Sequence, residues 1–157
     1  MTNKSQKYID LGYIDVDDDV FFEYNYEAAN CFGNNYLGTI QSGGGNVRHK
    51  YNDNISIGFP KFFQNENWEN SQMLNYKKIT EKCLDKSKIK DILEGIENGP
   101  KRRIIFGAFN DKMLNDKKCV YKFLGLYEFV GLDEETGSFN WKQINTRVET
   151  YPPKIDV

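Results

Sequence analysis

The last third of the chain carries the clearest pattern of apolar and polar positions. Residues 119–130 read as a long strand with apolar side chains on both faces. In its partner, 139–148, Phe139, Trp141, Gln143, Asn145 and Arg147 point one way and Asn140, Lys142, Ile144, Thr146 and Val148 the other. Between them, Asp133-Glu134-Glu135-Thr136-Gly137 has the residues of a turn. A strand that is apolar on both faces has to be covered on both, as in a barrel wrapped by helix.

Upstream, Ile89, Ile92, Leu93 and Ile96 recur at i, i+3, i+4 and i+7, which predicts a helix from an N-cap at Ser87 through Glu97. Asn98-Gly99-Pro100 stops it. Ile79, Cys83 and Leu84 suggest a shorter helix before it. Arg103–Phe109 reads as a strand, as does the segment from Ile55 to Phe59, which Pro60 closes. Near the start, Tyr8 to Val16 alternates weakly like a strand. An acidic turn at Asp17-Asp18-Asp19 then precedes a second strand or short helix at Val20-Phe21-Phe22. Residues 30–54 are rich in Asn and Gly around the run Gly43-Gly44-Gly45 and read as a long loop, a place where function concentrates. Lys61–Asn75 mixes aromatics with amides and shows no clear period. Together these predict one α+β domain over residues 1–157, a curved, partly closed antiparallel β-barrel with one or two flanking helices.

A length of 157 residues suits a single core. Aromatics form 15% of the residues against 39% apolar in all, so that core leans on Phe and Tyr, which favour sheets. A net charge of −2 argues against nucleic-acid binding by bulk positive charge but leaves room for a local basic face. The charges are indeed segregated. Asp10, Asp15, Asp17, Asp18, Asp19, Glu23 and Glu27 crowd the first thirty residues, whereas basic residues gather at Arg48-His49-Lys50, Lys77-Lys78, Lys86-Ser87-Lys88 and Lys101-Arg102-Arg103. Three separated cysteines, Cys31, Cys83 and Cys119, fit neither a disulfide framework nor a zinc site. The polar opening MTNKSQKYID and the lack of a long apolar run place the protein in the cytoplasm, away from membranes.

Candidate chemistry is sparse. Gly43-Gly44-Gly45 lacks the Gly-Lys-Ser/Thr ending of a phosphate loop, which leaves a hinge or a loop that lets a ligand approach the backbone closely. His49, the one histidine, lies between Arg48 and Lys50, which disfavour its protonated form, and no nucleophile motif accompanies it. A surface or phosphate-contacting role fits it better than catalysis. The acidic run 17–19 lacks the ligand pattern of a calcium loop and reads as a solvated turn. Asp116-Lys117-Lys118 and Glu81-Lys82 are too common to mark a metal-dependent nuclease. No catalytic residue, metal or cofactor is therefore expected, and a binding protein is favoured over an enzyme. Phe59, Phe62, Phe63 and Trp68 around Lys61 could pack a core or stack bases.

Two stretches resemble a known family. Residues 121–147, with Gly125-Leu126-Tyr127 and then Trp141 and Arg147, resemble the closing strands of SRA (YDG) domains and related PUA-like barrels. Residues 36–54, with Ser42-Gly43-Gly44-Gly45 and Asn52-Asp53-Asn54, are similar to the segment lining the SRA base pocket. The YDG tripeptide is replaced by Phe123-Leu124-Gly125, and the expected pocket aromatic and Asp fall near Ile40 or Tyr36 and near Asn46. The resemblance implies a module that reads modified bases in duplex DNA, by base flipping, as the sensor of a restriction or phage-defence system, beside a nuclease subunit or other protein partner. It would place Tyr36, Tyr51 and Trp68 in an aromatic sandwich and Asn46 and Asp53 on the polar edge of the base. Arg48, His49, Lys50 and Lys61 would meet phosphate, and Gly43, Gly44 and Gly45 would let the DNA come close. The competing reading is a phage- or defence-associated inhibitor whose acidic N-terminal surface engages a basic partner.

Overall fold

The computed structural model describes residues 3–38, 40, 46–63, 66–110 and 119–155. The chain opens with α1 (Asn3–Leu11), not a strand. Gly12, at φ +91°, ends this helix, and its N–H donates to the Tyr8 carbonyl at 3.0 Å. Only then comes a short strand, β1 (Tyr13–Asp15), followed by a 3-10 turn over Val16–Asp18 in which the Asp15 side chain accepts the Asp17 N–H. After β2 (Phe21–Phe22) and α2 (Asn25–Ala29) come β3 (Val47–Arg48), β4 (Ile55–Gly58), β5 (Trp68–Met73) and β6 (Lys78–Cys83). The expected short helix at 79–84 is therefore strand β6. Ile79 and Cys83, four apart, share a face at either period, so the spacing could not separate the two. The helix predicted from Ser87 is α3 (Ile89–Asn98), entered through a 3-10 turn capped by Asp85 instead of Ser87. β7 (Arg102–Asn110), β8 (Cys119–Asp133), β9 (Ser138–Asn145) and β10 (Arg147–Glu149) complete the chain.

The main sheet runs β3-β4-β7-β8-β9-β6-β5, with β2 added against the start of β8. All its pairs are antiparallel except β4 with β7. The barrel expected from the sequence is not formed: β3 and β5 are edges that do not meet, and the sheet is open and mixed. Two-sided coverage of β8 is real, but it comes from two separate cores. On one face Ile104, Phe106, Phe123 and Leu126 pack with Phe22, Phe32 and Ile57 beneath α1 and α2. On the other, Ile105, Leu124, Tyr127, Phe139 and Trp141 pack with Ile79 against Ile89, Ile92, Leu93 and Ile96 of α3. A short outlying pair, β1 with β10, ties the two ends of the chain together, with Arg147 Nε 2.8 Å from Asp15 Oδ2.

The middle of β8 departs from regular pairing. The register slips between Ile105 and Phe106 of β7, leaving Leu124 without a partner there, and slips again opposite β9 after Leu126. Gly125 sits at φ +125°, and a Cβ on it would lie 2.7 Å from the Asn145 carbonyl oxygen, so a side chain is excluded twice over. The Leu124 carbonyl accepts instead from Gln143 Nε2 at 2.8 Å and from the Tyr127 hydroxyl at 3.1 Å. The bulge also explains why Leu126 returns to the face of Phe123 while Tyr127 faces the second core.

Beneath α3, Arg103 Nη1 donates to Glu81 Oε1 at 2.9 Å, both side chains nearly buried, and the guanidinium lies 4.0 Å from the Trp141 ring centroid. Gly58 makes room: a Cβ there would approach Arg103 Cδ to 2.6 Å. Burial pulls the Arg103 pKa down while Glu81 acts to hold its charge. His49 is only 3% exposed, its ring 5.5 Å from both Phe32 and Tyr151, which corrects the surface role read from its charged neighbours. Its Nδ1 accepts the Tyr51 N–H at 3.1 Å, and burial lowers its pKa. No helix among the described residues is long and apolar enough to cross a membrane.

Two predictions follow from these buried groups. Glu81→Ala leaves a buried guanidinium unpaired and should lower unfolding stability by about 3–5 kcal/mol in urea titrations; adding Arg103→Met should recover part of that loss. For His49, the unfolded state takes up a proton near pH ~6.5 while the folded state resists it. Its contribution is therefore complete above that pH and is lost as pH falls towards the lower folded pKa. His49→Gln should flatten the stability curve below about pH 6.5; an unchanged curve would exclude His49 as its source.

Candidate nucleic-acid interface

At the end of β4 the aromatic core comes to the surface. Phe59, half-buried, stacks on Phe106 at 6.0 Å and meets Tyr121 edge-on at 5.7 Å. Ile40 packs against the same core. β2 pairs Phe21 with Lys122 and Phe22 with Tyr121, and Lys122 Nζ lies 3.0 Å from Asp19 Oδ1. The segment after Phe59 runs beside the end of β7: Ala108 N–H donates to the Pro60 carbonyl at 2.8 Å and Phe62 N–H to the Ala108 carbonyl at 2.9 Å. This leaves Lys61 exposed, and brings Phe62 to stack on Phe109 at 5.3 Å. Half-buried rings, the exposed Lys61 and the Lys122–Asp19 pair thus share one end of the sheet.

The segment that leads to this end is held by side chains. The backbone of residues 35–38 and of Ile40 makes no backbone–backbone hydrogen bond among the described residues. Asn30, fully buried, accepts the Tyr36 N–H at 2.8 Å and donates to the Tyr36 carbonyl at 3.0 Å. Asn25 makes the same pair of bonds with Ile40, each at 3.3 Å. Asn34 Nδ2 donates to the Ala29 carbonyl at 3.1 Å and to the Arg48 carbonyl at 2.9 Å, which joins the end of α2 to β3. The Tyr36 side chain is exposed, with no aromatic partner among the described residues.

The other candidates fall into separate places. Asn46 and Arg48 line a cleft of about 560 Å³ between β3, β4 and α3, together with Ser56, Arg103 and Ile92, and Arg48 pairs with Asp53 across 3.2 Å at the rim. Asn46 Oδ1 lies 3.0 Å from where a Gly58 Cβ would stand. Tyr51 stacks on Tyr151 at 4.6 Å and donates to the Pro152 carbonyl at 3.0 Å, so one of its faces is already occupied. Lys50 is half-buried beside it, its carbonyl facing Lys154 Nζ at 3.4 Å. Trp68 is on β5, tilted against Phe139 at 6.2 Å in the second core, and does not join Tyr36 in a sandwich. Gly43, Gly44 and Gly45 lie outside the described residues, as does Asp116-Lys117-Lys118.

The sequence reading missed Tyr121, Asn25 and Asn30 at this end, and Arg103 and Ser56 in the cleft. Tyr121 was absorbed into the apolar pattern of its strand, and nothing in the spacing of Asn25 or Asn30 marks the backbone that each would hold. The acidic N-terminal segment is partly engaged within the fold, through Asp15 with Arg147, Asp19 with Lys122, and the burial of Glu27 in α2.

The family model of the SRA domain, the SET and RING associated domain, matches residues 7–150. No curated protein matches the sequence. Among solved structures, the 5-hydroxymethylcytosine-specific restriction enzyme AbaSI is similar, with 36% sequence identity and a TM-score of 0.84 over 96% of this chain. The similarity spans 46% of the AbaSI chain, so this chain corresponds to about half of that enzyme. A family match over nearly the whole chain, on an open sheet whose aromatic core surfaces beside the exposed Lys61, leads to one conclusion: the chain belongs to the SRA family.

Proposed function

We propose that this chain reads a modified cytosine in duplex DNA and serves as the recognition module of a modification-dependent restriction system. The observation that carries this reading is its 36% identity, over 96% of its length, to an enzyme specific for 5-hydroxymethylcytosine. The chemistry at the end of β4 supports it. An extruded base needs ring faces to replace lost stacking and hydrogen-bonding groups for its polar edge, while the flanking backbone needs cations. Phe59 and Tyr121 supply rings there, Tyr36 offers a further exposed ring on the segment leading to it, and Lys61 brings positive charge to an otherwise weakly acidic protein. The chain binds without cutting; cleavage belongs to a nuclease domain or subunit working beside it.

Electrophoretic titration of matched duplexes, one carrying 5-hydroxymethylcytosine and one unmodified, tests this directly. The modified duplex should bind at least tenfold tighter at equal salt. Affinity for both should fall with added salt as counterions return to phosphate. Lys61→Ala should weaken both duplexes alike and reduce the slope of log affinity against log salt by about 1. Equal affinity for the two duplexes, or no binding at low salt, would sink the reading.

A further inference from the structure

We infer that Asn30 is a positioning residue for DNA recognition, acting through Tyr36, and that Asn25 does the same for the neighbouring lip at Ile40; this rests on the DNA-reading function proposed above. A strand is held in place by alternating N–H and C=O bonds to its neighbour, but residues 35–38 and Ile40 have no such neighbour among the described residues. Two buried amides replace it. A primary amide carries a donor and an acceptor side by side, the same pair that a backbone peptide presents, so one Asn can hold both polar groups of one residue. Asn30 does this to Tyr36 at 2.8 and 3.0 Å, and Asn25 to Ile40 at 3.3 Å twice.

Both amides project from the α2 region, whose Ala28 and Ala29 are fully buried in the first core. The clamp is thus anchored in the first core. Asn30 itself is 0% exposed, and among the described residues its amide bonds only to Tyr36. What it fixes is the backbone of a tyrosine whose ring remains at the surface, 37% exposed. A ring that must stack on a base gains affinity when its backbone is ordered before binding, because the ordering entropy is then not lost in the complex. Asn30 therefore supplies preorganisation while Tyr36 supplies contact.

A double-mutant cycle tests this, with fluorescence anisotropy on the 5-hydroxymethylcytosine and unmodified duplexes for the wild type, Asn30→Ala, Tyr36→Ala and the double variant. Asn30→Asp, which keeps the acceptor for the Tyr36 N–H and loses the donor to its carbonyl, stands in if Asn30→Ala does not fold. Asn140→Ala removes a Thr80–Asn140 bond of 2.9 Å between β6 and β9, and serves as a destabilised control remote from the lip. Tyr36→Ala should weaken the modified duplex roughly tenfold or more, as loss of a stacking ring does. Asn30→Ala should weaken it comparably, the double variant should lose no more than Tyr36→Ala alone, and Asn140→Ala should bind normally. Additive losses, an Asn30→Ala variant with full affinity, a silent Tyr36→Ala, or an Asn140→Ala variant equally impaired would each overturn the inference. If the wild type does not distinguish the duplexes, the function proposed above fails. The clamp is then judged by hydrogen exchange at the Tyr36 amide, which must be slow in the wild type and fast in Asn30→Ala.

Discussion

Everything in this molecule is arranged around one strand that is buried on both sides. β8 carries Phe123 and Leu126 into one core and Leu124 and Tyr127 into the other, and neither core is complete without it. Packing both faces of a single strand removes its residues from water twice over, and the hydrophobic gain scales with that area. It also imposes a constraint. A strictly alternating strand would place Leu126 with Leu124, so a bulge is needed to bring it back to the Phe123 side. Gly125 provides it, and Gln143 and Tyr127 satisfy the carbonyl that the irregularity releases.

The two cores take different roles. The second, under α3, is closed by an ion pair and a cation over a ring: Glu81, Arg103 and Trp141 lie together with little exposure. Removing one partner strands a charge, which makes this side a place of stability more than of chemistry. The first core is open at the end of β4, where Phe59 and Tyr121 are half-buried and cations lie at its rim.

Order at that end is maintained by amides instead of a sheet ladder. Asn25, Asn30 and Asn34 are each 8% exposed or less; the first two bond the backbone of Ile40 and Tyr36, which lie in no strand, and Asn34 ties α2 to β3. Buried polar groups are costly unless satisfied, so these bonds fix the chain path as firmly as packing does. The segment can then differ from a strand in direction and still be held in one place.

The apolar face of 89–96 follows from side-chain period and the turn at 133–137 from its residue types, and both stand in the folded protein; the single strand expected at 139–148 stands only to Asn145, because Arg147 and Val148 leave the main sheet to pair with β1. The strands at 55–58 and 102–110 were equally legible, because short apolar runs bounded by Pro or turn residues have few other uses. Resemblance at 121–147 was sufficient to indicate the SRA family. What the sequence could not decide is which solution covers β8. Two cores around an open sheet and one core inside a barrel demand the same two-sided apolar pattern, and only the failure of β3 and β5 to meet separates them. The same limit applied to the site. Arg48-His49-Lys50 looks like one basic triplet in sequence, but β-alternation sends Arg48 to the surface and His49 inward between Phe32 and Tyr151. Trp68 is drawn into the second core by Phe139, seventy-one residues away. Long-range pairing chooses which neighbours a side chain meets, and local composition carries no record of that choice.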